Sequence, residues 1–342
     1  MKKITIDLYI DGTLSHLCNW LCGKQKDGKF GAPYFVEARA VRALLAGYKI
    51  LNNKKYLEAA MAWAEAMMSE QREDGGYRMG YGVWENGQES CYVADGGETC
   101  TGMIALYSYA EGDFKKRLRK SVDNYMKHRE SFRDKDGGIG IGWIKEDLFS
   151  SPPVQKEKVF CETRHLPFTI GCTLAAASAY SAITKEPGDI ERAIKDTRRL
   201  MKEVEKMVGA AYTESLCWAH HYIENEVLRT EIESYMKEKW IPNITDNERM
   251  WWLEGHGRTV LGLYGLCYYY ESVEQNPQVL ETIKRVTTTL CIPNPPYDLF
   301  RQPNLLDLMR QSFLTGDEMR YLCFAAVSLA EVVQPNVSLR KL

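Results

Sequence analysis

The sequence predicts an all-α protein built as a closed ring of six helical hairpins, and three observations lead to this prediction. Glutamates recur near the beginnings of apolar helical segments rich in small residues, at successive spacings of 61, 64, 52, 40 and 64 residues. Nearly uncharged segments alternate with amphipathic ones, and polar turns containing Asp-Gly follow several helices. This periodicity is typical of stacked helical pairs, because one pair alone cannot bury its apolar face. The recurring glutamates are Glu37, Glu98, Glu162, Glu214, Glu254 and Glu318.

The first hairpin shows how the helices divide into two layers. Segment 35–51 is rich in Ala, Gly and Leu with few charges, whereas segment 54–71 carries charges on one face only. A helix buried on all sides lacks a polar face, so we expect the first segment in an inner ring and the second outside it. The same pairing recurs along the chain, as 98–110 with 113–132, 162–184 with 188–208, 212–224 with 226–240, and 248–271 with 277–290.

A sixth inner helix, 318–333, has no outer partner after it in the sequence. Residues 12–22 are predicted to supply that partner and to close the ring. The expected architecture is an (α/α)6 toroid that forms a single domain over residues 1–342. Only 40 residues separate Glu214 from Glu254, so a ring that is incomplete at the fourth hairpin stays open as an alternative.

Composition excludes several classes of partner. The net charge of -2 and the pI of about 6.4 give no basic footprint for nucleic acid or anionic membranes. No uninterrupted apolar run approaches the roughly 20 residues that a membrane-spanning helix needs. Four of the ten cysteines lie in apolar helical segments, where reduced cysteine acts as a small hydrophobe, so we expect a cytoplasmic protein; they are Cys100, Cys172, Cys267 and Cys323. No CxxC pair occurs, and we expect neither a metal nor a cofactor.

Unusually long loops precede some of the inner helices. Segments 72–97 and 133–161 contain 26 and 29 residues, whereas packed helices are usually joined by about 2 to 8. Loops of such length are often functional. The inner helices of a toroid run parallel, so these loops are expected to meet at one mouth together with segments 241–254 and 291–317.

The predicted mouth combines carboxylates with aromatic and basic side chains. A carboxylate at a helix beginning has a plain structural role as a cap, but capping does not explain the neighbouring aromatic rings. Indole and phenol rings stack on sugar C–H faces, while carboxylates and guanidinium groups bind hydroxyls, so a sugar or oligosaccharide is the expected ligand. The substrate-binding candidates are Trp84, Tyr92, Trp143, Arg164, Trp218, Trp251, Trp252 and Arg258.

Hydrolysis of a glycosidic bond requires a proton donor and a base whose pKa values differ. Several carboxylates in one mouth repel each other electrostatically, which raises the pKa of at least one of them. Asp95 and Glu162 form the preferred pair. The other candidates for catalysis are Glu98, His165, Glu254 and His256.

Two motifs carry a resemblance to a known family. The run 94–98, Ala-Asp-Gly-Gly-Glu, resembles the loop and helix beginning of the unsaturated glucuronyl and rhamnogalacturonyl hydrolases, and Cys-Glu-Thr-Arg-His-Leu-Pro-Phe at 161–168 is similar to their second acidic motif. That family has aspartate where Glu162 stands. The resemblance implies a six-hairpin toroid that hydrates lyase-generated oligosaccharides, with Glu162 as proton donor and Asp95 as its partner carboxylate.

Other functions on the same fold remain open. Residues 249–256, Arg-Met-Trp-Trp-Leu-Glu-Gly-His, resemble a segment of the acylglucosamine 2-epimerases, which implies an acid and base pair of His165 and His256. A polysaccharide lyase would use His165, Tyr222 and Arg258. A terpenoid-cyclase-like toroid and a non-catalytic glycan-binding ring are further alternatives.

Overall fold

Helices that pack side by side around a common centre form the inner layer of the fold. The computed structural model describes residues 10–80, 91–140, 142–143, 158–159, 166–203, 210–245, 261–291, 305–311, 314, 316–339 and 342. The inner helices are α2 (Tyr34–Leu51), α4 (Val93–Tyr107), α6 (Leu166–Thr184), α8 (Ala210–Tyr222), α11 (Leu261–Ser272) and α14 (Gly316–Val333). Each packs against the next along the chain, and α14 packs back onto α2. The predicted (α/α)6 toroid is confirmed, and the alternative of an incomplete ring is wrong.

A second layer of helices surrounds this ring. The outer helices are α1 (Ile10–Lys24), α3 (Lys54–Glu70), α5 (Gly112–Ser131), α7 (Pro187–Glu203), α9 (Glu226–Tyr235) and α12 (Pro277–Cys291). The first of them, α1, packs against α2, α3 and α14. It therefore occupies the outer position beside α14, as the sequence predicts for residues 12–22. A short helix, α13 (Leu305–Met309), lies within the segment 291–317 and also packs against α14.

Burial along the helices follows from their amphipathic patterns. On α7 the buried residues are Ala193, Asp196, Thr197 and Leu200, a spacing that places them on one face of a helix. On α2, by contrast, every residue from 34 to 47 is buried. The contrast confirms the division into inner and outer layers. No helix in the described ranges combines the length and apolar character needed to span a bilayer.

Glycines bring neighbouring inner helices close together. A Cβ added to Gly97 on α4 would lie 2.8 Å from the carbonyl oxygen of Cys172 on α6. Such a contact cannot be relieved by turning a side chain, because it involves the backbone. The other inner contacts made at glycine are Gly102 against Ala38, Gly171 against Tyr212, and Gly265 against Thr213. The small-residue bias of the inner segments therefore sets the width of the ring.

The repeated Asp-Gly turns have a common backbone conformation. Gly28, Gly75 and Gly137 adopt φ values of 80°, 92° and 83°, a region that glycine enters without steric cost. Paired backbone hydrogen bonds close these turns, as between Lys26 and Lys29 at 2.8 and 2.9 Å. The repeated polar turn in the sequence is thus a repeated reversal of the chain after a helix.

The fourth outer helix contains a π-helical turn. Residues Met236–Trp240 form this turn after α9, and α10 (Ile241–Thr245) continues from it. Pro242 has no N–H to donate, so an ordinary α-helical ladder is interrupted there. The amide of Ile241 bonds instead to the carbonyl of Met236. Segment 241–254 was predicted to be a mouth loop, and for residues 241–245 this is wrong because they extend the outer helix.

Substitution at Gly97 tests the close approach of α4 and α6. Gly97→Ala is expected to lower the free energy of unfolding by about 1–3 kcal/mol, because the new methyl group overpacks the contact. Gly23→Ala is the matched control, since a Cβ there meets nothing within 4 Å. The control should stabilise the protein by up to about 1 kcal/mol through helix propensity. Urea denaturation of both variants measures the difference, and equal stabilities would contradict the proposed contact.

Candidate active site at the ring centre

Asp95 lies in the first turn of α4, where its side chain is partly buried. The sequence placed the helix beginning at Glu98, but α4 begins at Val93, so Glu98 occupies the second turn. Tyr125 on α5 fixes the first turn by donating its hydroxyl to the carbonyl oxygen of Val93 at 2.7 Å. Gly96 faces the ring of Tyr125 and leaves room for it. The backbone that carries Asp95 is therefore held by the outer layer.

A small antiparallel sheet joins two long loops just before α4. Strand β1 (Cys91–Tyr92) pairs with β2 (Gly142–Trp143), which pairs with β3 (Lys158–Val159). Gly142 has a φ of 142°, and a Cβ there would lie 2.0 Å from the carbonyl oxygen of Cys91. Only glycine fits this position. The sheet brings predicted loops 72–97 and 133–161 together, and its two-residue strands are too short to give a sequence signal.

A chain of polar contacts runs from the exposed Asp74 to the buried side chains that support β1. The Sγ atom of Cys91 lies 3.5 Å from Nε2 of His128, and Nδ1 of His128 lies 3.5 Å from Oδ1 of Asp74. Asp74 also accepts a hydrogen bond from the amide of Gly76, which packs against both Cys91 and His128. The Cys91 and His128 side chains are buried. This chain therefore connects the second Asp-Gly turn to α5 and to the strand that leads to Asp95.

A cluster of charged residues fills the centre of the ring beneath the first turn of α4. Arg39 and Arg42 on α2 contact glutamates on α4 and α8. Arg39 Nη2 forms an ion pair with Glu98 and a second one with Glu214 Oε2 at 2.8 Å, while Arg42 Nη1 pairs with Glu214 Oε1. All four residues are buried. The acidic beginnings of α4 and α8 thus converge on the ring centre, where guanidinium groups neutralise them.

Aromatic rings cover the guanidinium groups. The Arg42 guanidinium lies 5.0 Å from the ring centroid of Trp218 and 5.5 Å from that of Tyr264. Arg39 lies 5.2 Å from the ring of Phe324. Cation–π contacts of this kind strengthen when they are shielded from water. Trp218, which the sequence proposed as a sugar platform, has no exposed surface and packs beneath Arg42.

Burial changes the acidity of Glu98. Removal from water raises the pKa of Glu98 to about 7, because the charged form is desolvated. The positive charge of Arg39 opposes this rise, and the negative charge of Glu214 adds to it. A carboxyl group in this range exchanges its proton near neutral pH, which suits acid and base chemistry.

The recurring glutamates do not all point to the centre. Glu37 accepts hydrogen bonds from the amides of Phe30 and Ala32 at 2.8 and 3.0 Å, and from the indole of Trp63 at 2.9 Å. It fastens the loop before α2 to the outer helix α3, and burial raises its pKa to about 7. Glu318 is partly buried in the first turn of α14. The repeat of glutamates therefore has at least two different structural uses.

The structure describes only part of the predicted site. Asp95, Glu98, Tyr92 and Trp218 lie within it, with Tyr92 partly buried at the N-cap of α4, and Trp143 contributes its backbone to β2. The remaining site predictions fall outside the described residues, and so does the separation of Asp95 from Glu162. These residues are Trp84, Glu162, Arg164, His165, Trp251, Trp252, Glu254, His256 and Arg258.

Sequence reasoning missed Arg39 and Arg42. Their signal is visible in hindsight, because two arginines three residues apart interrupt a segment that is otherwise apolar and small. Residues at this spacing share one face of a helix. A charged pair on a helix that is buried all round requires buried partners of opposite charge.

Several solved structures that share this fold are named as glycoside hydrolases. A GH76 α-mannanase from Bacteroides thetaiotaomicron aligns with a TM-score of 0.60 at 11% identity, covering 95% of each chain. A possible member of the GH105 family from Salmonella enterica aligns with a TM-score of 0.58 at 9% identity, covering 95% of this chain and 94% of the other.

A glycosyl hydrolase of family 88 from Bacteroides vulgatus is similar as well, with a TM-score of 0.55 at 11% identity, covering 94% of this chain and 99% of the other. No family model and no curated protein matches the sequence. At this identity the similarity establishes the fold, which confirms the predicted resemblance to six-hairpin toroid hydrolases at that level.

Removal of Glu214 tests the central cluster. Glu214→Gln is expected to lower the free energy of unfolding by about 3–5 kcal/mol, because two buried guanidinium groups lose a shared counter-charge. Glu231→Gln is the control, since Glu231 pairs with Arg198 on the exposed surface. The control should cost at most about 1 kcal/mol. Chemical denaturation measures both, and a Glu214 variant as stable as the control would show that the cluster does not hold the ring together.

Proposed function

We propose that the protein is a hydrolase acting on a sugar or oligosaccharide, with paired carboxylates at the ends of the inner helices. The observation that carries this proposal is the position of Asp95. Its carboxylate is partly exposed in the first turn of α4, above the buried cluster and beside the sheet that joins two long loops. The fold shared with carbohydrate-active hydrolases supports the substrate class.

Two carboxyl groups divide the chemistry in this proposal. Asp95 removes a proton from the attacking water, and Glu162 donates a proton to the leaving oxygen or, in an unsaturated sugar, to the vinyl carbon. Asp95 takes up the proton lost by water and Glu162 supplies the proton gained by the substrate, so the step requires no cofactor. Glu98, His165, Glu254 and His256 are the other candidates for this chemistry.

We assign recognition of the substrate to the other aromatic and basic candidates that the sequence predicts. We assign Tyr92, Trp84, Trp143, Trp251 and Trp252 to stacking, and Arg164 and Arg258 to hydroxyl or carboxylate binding. Trp218 is better assigned to support of Arg42, because it is fully buried. The proposal keeps residues 1–342 as one domain, and the reduced cysteines of the described ranges support a cytoplasmic location.

Substitution of the two carboxyl groups tests the function. A panel of 4-nitrophenyl glycosides, α-mannan oligosaccharides and unsaturated glucuronyl disaccharides is incubated with the wild-type protein, and released sugar is measured by chromatography. Asp95→Asn and Glu162→Gln are each expected to lower kcat by about 10²–10⁴-fold, because each removes one proton-transfer group.

The matched control is Asp113→Asn, which changes an exposed carboxylate that pairs with Lys116 on α5. It should keep the wild-type rate, and circular dichroism should show the same helicity for every variant. Unchanged turnover in the Asp95 or Glu162 variant would remove that residue from its role. Wild-type protein that epimerises a sugar without hydrolysing any of the panel would overturn the hydrolase proposal.

A further inference from the structure

A groove of about 320 Å³ lies on the outer surface between α5 and α7. The inner helix α6 forms its floor, where Ala177 and Tyr180 line it. Met126 of α5 and Ala193 of α7 add to the apolar part of the lining. This volume is at the lower end of the range of small-molecule sites, roughly 300–1,000 Å³. The described residues that line the groove include no member of the central cluster, so the groove is separate from the ring centre.

Two carboxylates at the groove are already paired with arginines. Glu130 accepts hydrogen bonds from Arg129 and Arg133, with 2.7 Å between its Oε2 and the Nε of Arg133. Asp189 pairs with Arg192, one turn further along α7. Arginine binds carboxylates strongly because both partners are charged and their geometries match. The charges of both carboxylates are therefore matched within the walls of the groove.

Several cationic donors at the groove remain unused. Lys127 is exposed and has no ion-pair partner among the described residues. Arg192 is half exposed and donates one hydrogen bond in the described ranges, to Asp189, although a guanidinium group has five N–H donors. Arg129 is fully buried, and its Nε atom has no hydrogen-bond partner in the described part of the chain. A buried donor without a partner is unfavourable, so the groove favours a ligand that accepts hydrogen bonds.

Other contacts hold the groove in a fixed shape. The hydroxyl of Tyr180 donates to Asp123 at 2.9 Å, and the guanidinium group of Arg119 lies 5.5 Å from the centroid of the Tyr180 ring. Across the groove, Nη2 of Arg129 on α5 lies 2.6 Å from Oδ2 of Asp196 on α7. A site whose side chains are already ordered loses little conformational entropy when a ligand binds.

We propose that this groove binds a small carboxylate that carries an apolar body. The acid group accepts charge-assisted hydrogen bonds from Lys127 and Arg192 at the rim. The apolar body covers Met126 and Ala177 and packs on the ring of Tyr180, which removes apolar surface from water. The inference does not depend on the proposed hydrolase function, and its tests require no turnover.

The first experiment measures binding to the complete protein by ¹⁹F NMR, with 4-(trifluoromethyl)benzoate as the probe. Saturable binding is expected. The neutral analogue 4-(trifluoromethyl)benzamide and the competitor acetate should each bind at least about tenfold more weakly, because the first lacks the charge and the second lacks the apolar body. A probe that does not bind saturably, or an amide or acetate that binds as well as the probe, would overturn the inference.

Substitutions at the rim test the two cations. Lys127→Gln and Arg192→Gln are each expected to weaken binding of the probe by about three- to fivefold, because each removes a partly exposed charge. Lys120→Gln is the matched control, since this exposed lysine lies seven residues earlier on α5 and does not line the groove. It should keep the wild-type affinity. Equal weakening by all three substitutions would indicate general electrostatic attraction and would contradict the proposed site.

The position of the probe is tested at Met126, which lines the groove. The protein is labelled with ¹³C at the methionine methyl groups, and Met126→Leu identifies the Met126 signal, since exchange of Met for Leu is well tolerated in a core. Binding of the aromatic probe is expected to shift this signal in proportion to the bound fraction. Saturable binding that leaves the Met126 signal unshifted would place the probe elsewhere and would overturn the inference.

Discussion

The ion contacts of Glu214 with Arg39 and Arg42 are the interaction on which the rest of the structure depends. They join α8 to α2, two helices that are not neighbours in the ring, so they tie opposite sides of the centre together. Contacts between neighbouring helices alone would not fill the middle of the ring. Because both charges are buried, either partner alone would be strongly unfavourable, and the cluster specifies which helices face each other.

The two ends of the ring differ in the residues that lie there. The segment 334–339 follows the carboxyl end of α14, where Ser338 bonds to Tyr264 and Glu331 and Asn336 donates a hydrogen bond to Ser272 at the end of α11. The charged cluster fills the middle, and Asp95 lies above it in the first turn of α4. The charges beneath Asp95 are thus fixed by the fold, which suits the acid and base chemistry proposed for this residue.

The helices of the outer layer hold the elements of the candidate site in position more than they supply reactive groups. Tyr125 holds the first turn of α4, and the polar contacts from Asp74 through His128 to Cys91 hold the strand before it. The candidate position of Asp95 is thus supported by helices and short strands. Similar folds occur in proteins named as mannanases and as members of other hydrolase families, so the ring alone does not select a substrate.

The sequence by itself determined the helical hairpins, their order in two layers and the closure of the ring by α1. These features follow from apolar periodicity and small-residue content, which are local properties of the chain. It also predicted the convergence of Glu98 and Glu214, which their shared contact with Arg39 confirms, while the role of Asp95 stays a prediction. Only the tertiary structure decided that Glu98 pairs with Arg39, that Glu37 turns outward to Trp63, and that Trp218 is buried. Those facts depend on which helices meet across the ring and how deeply each side chain is removed from water, and neither is encoded in the spacing of residues along one segment.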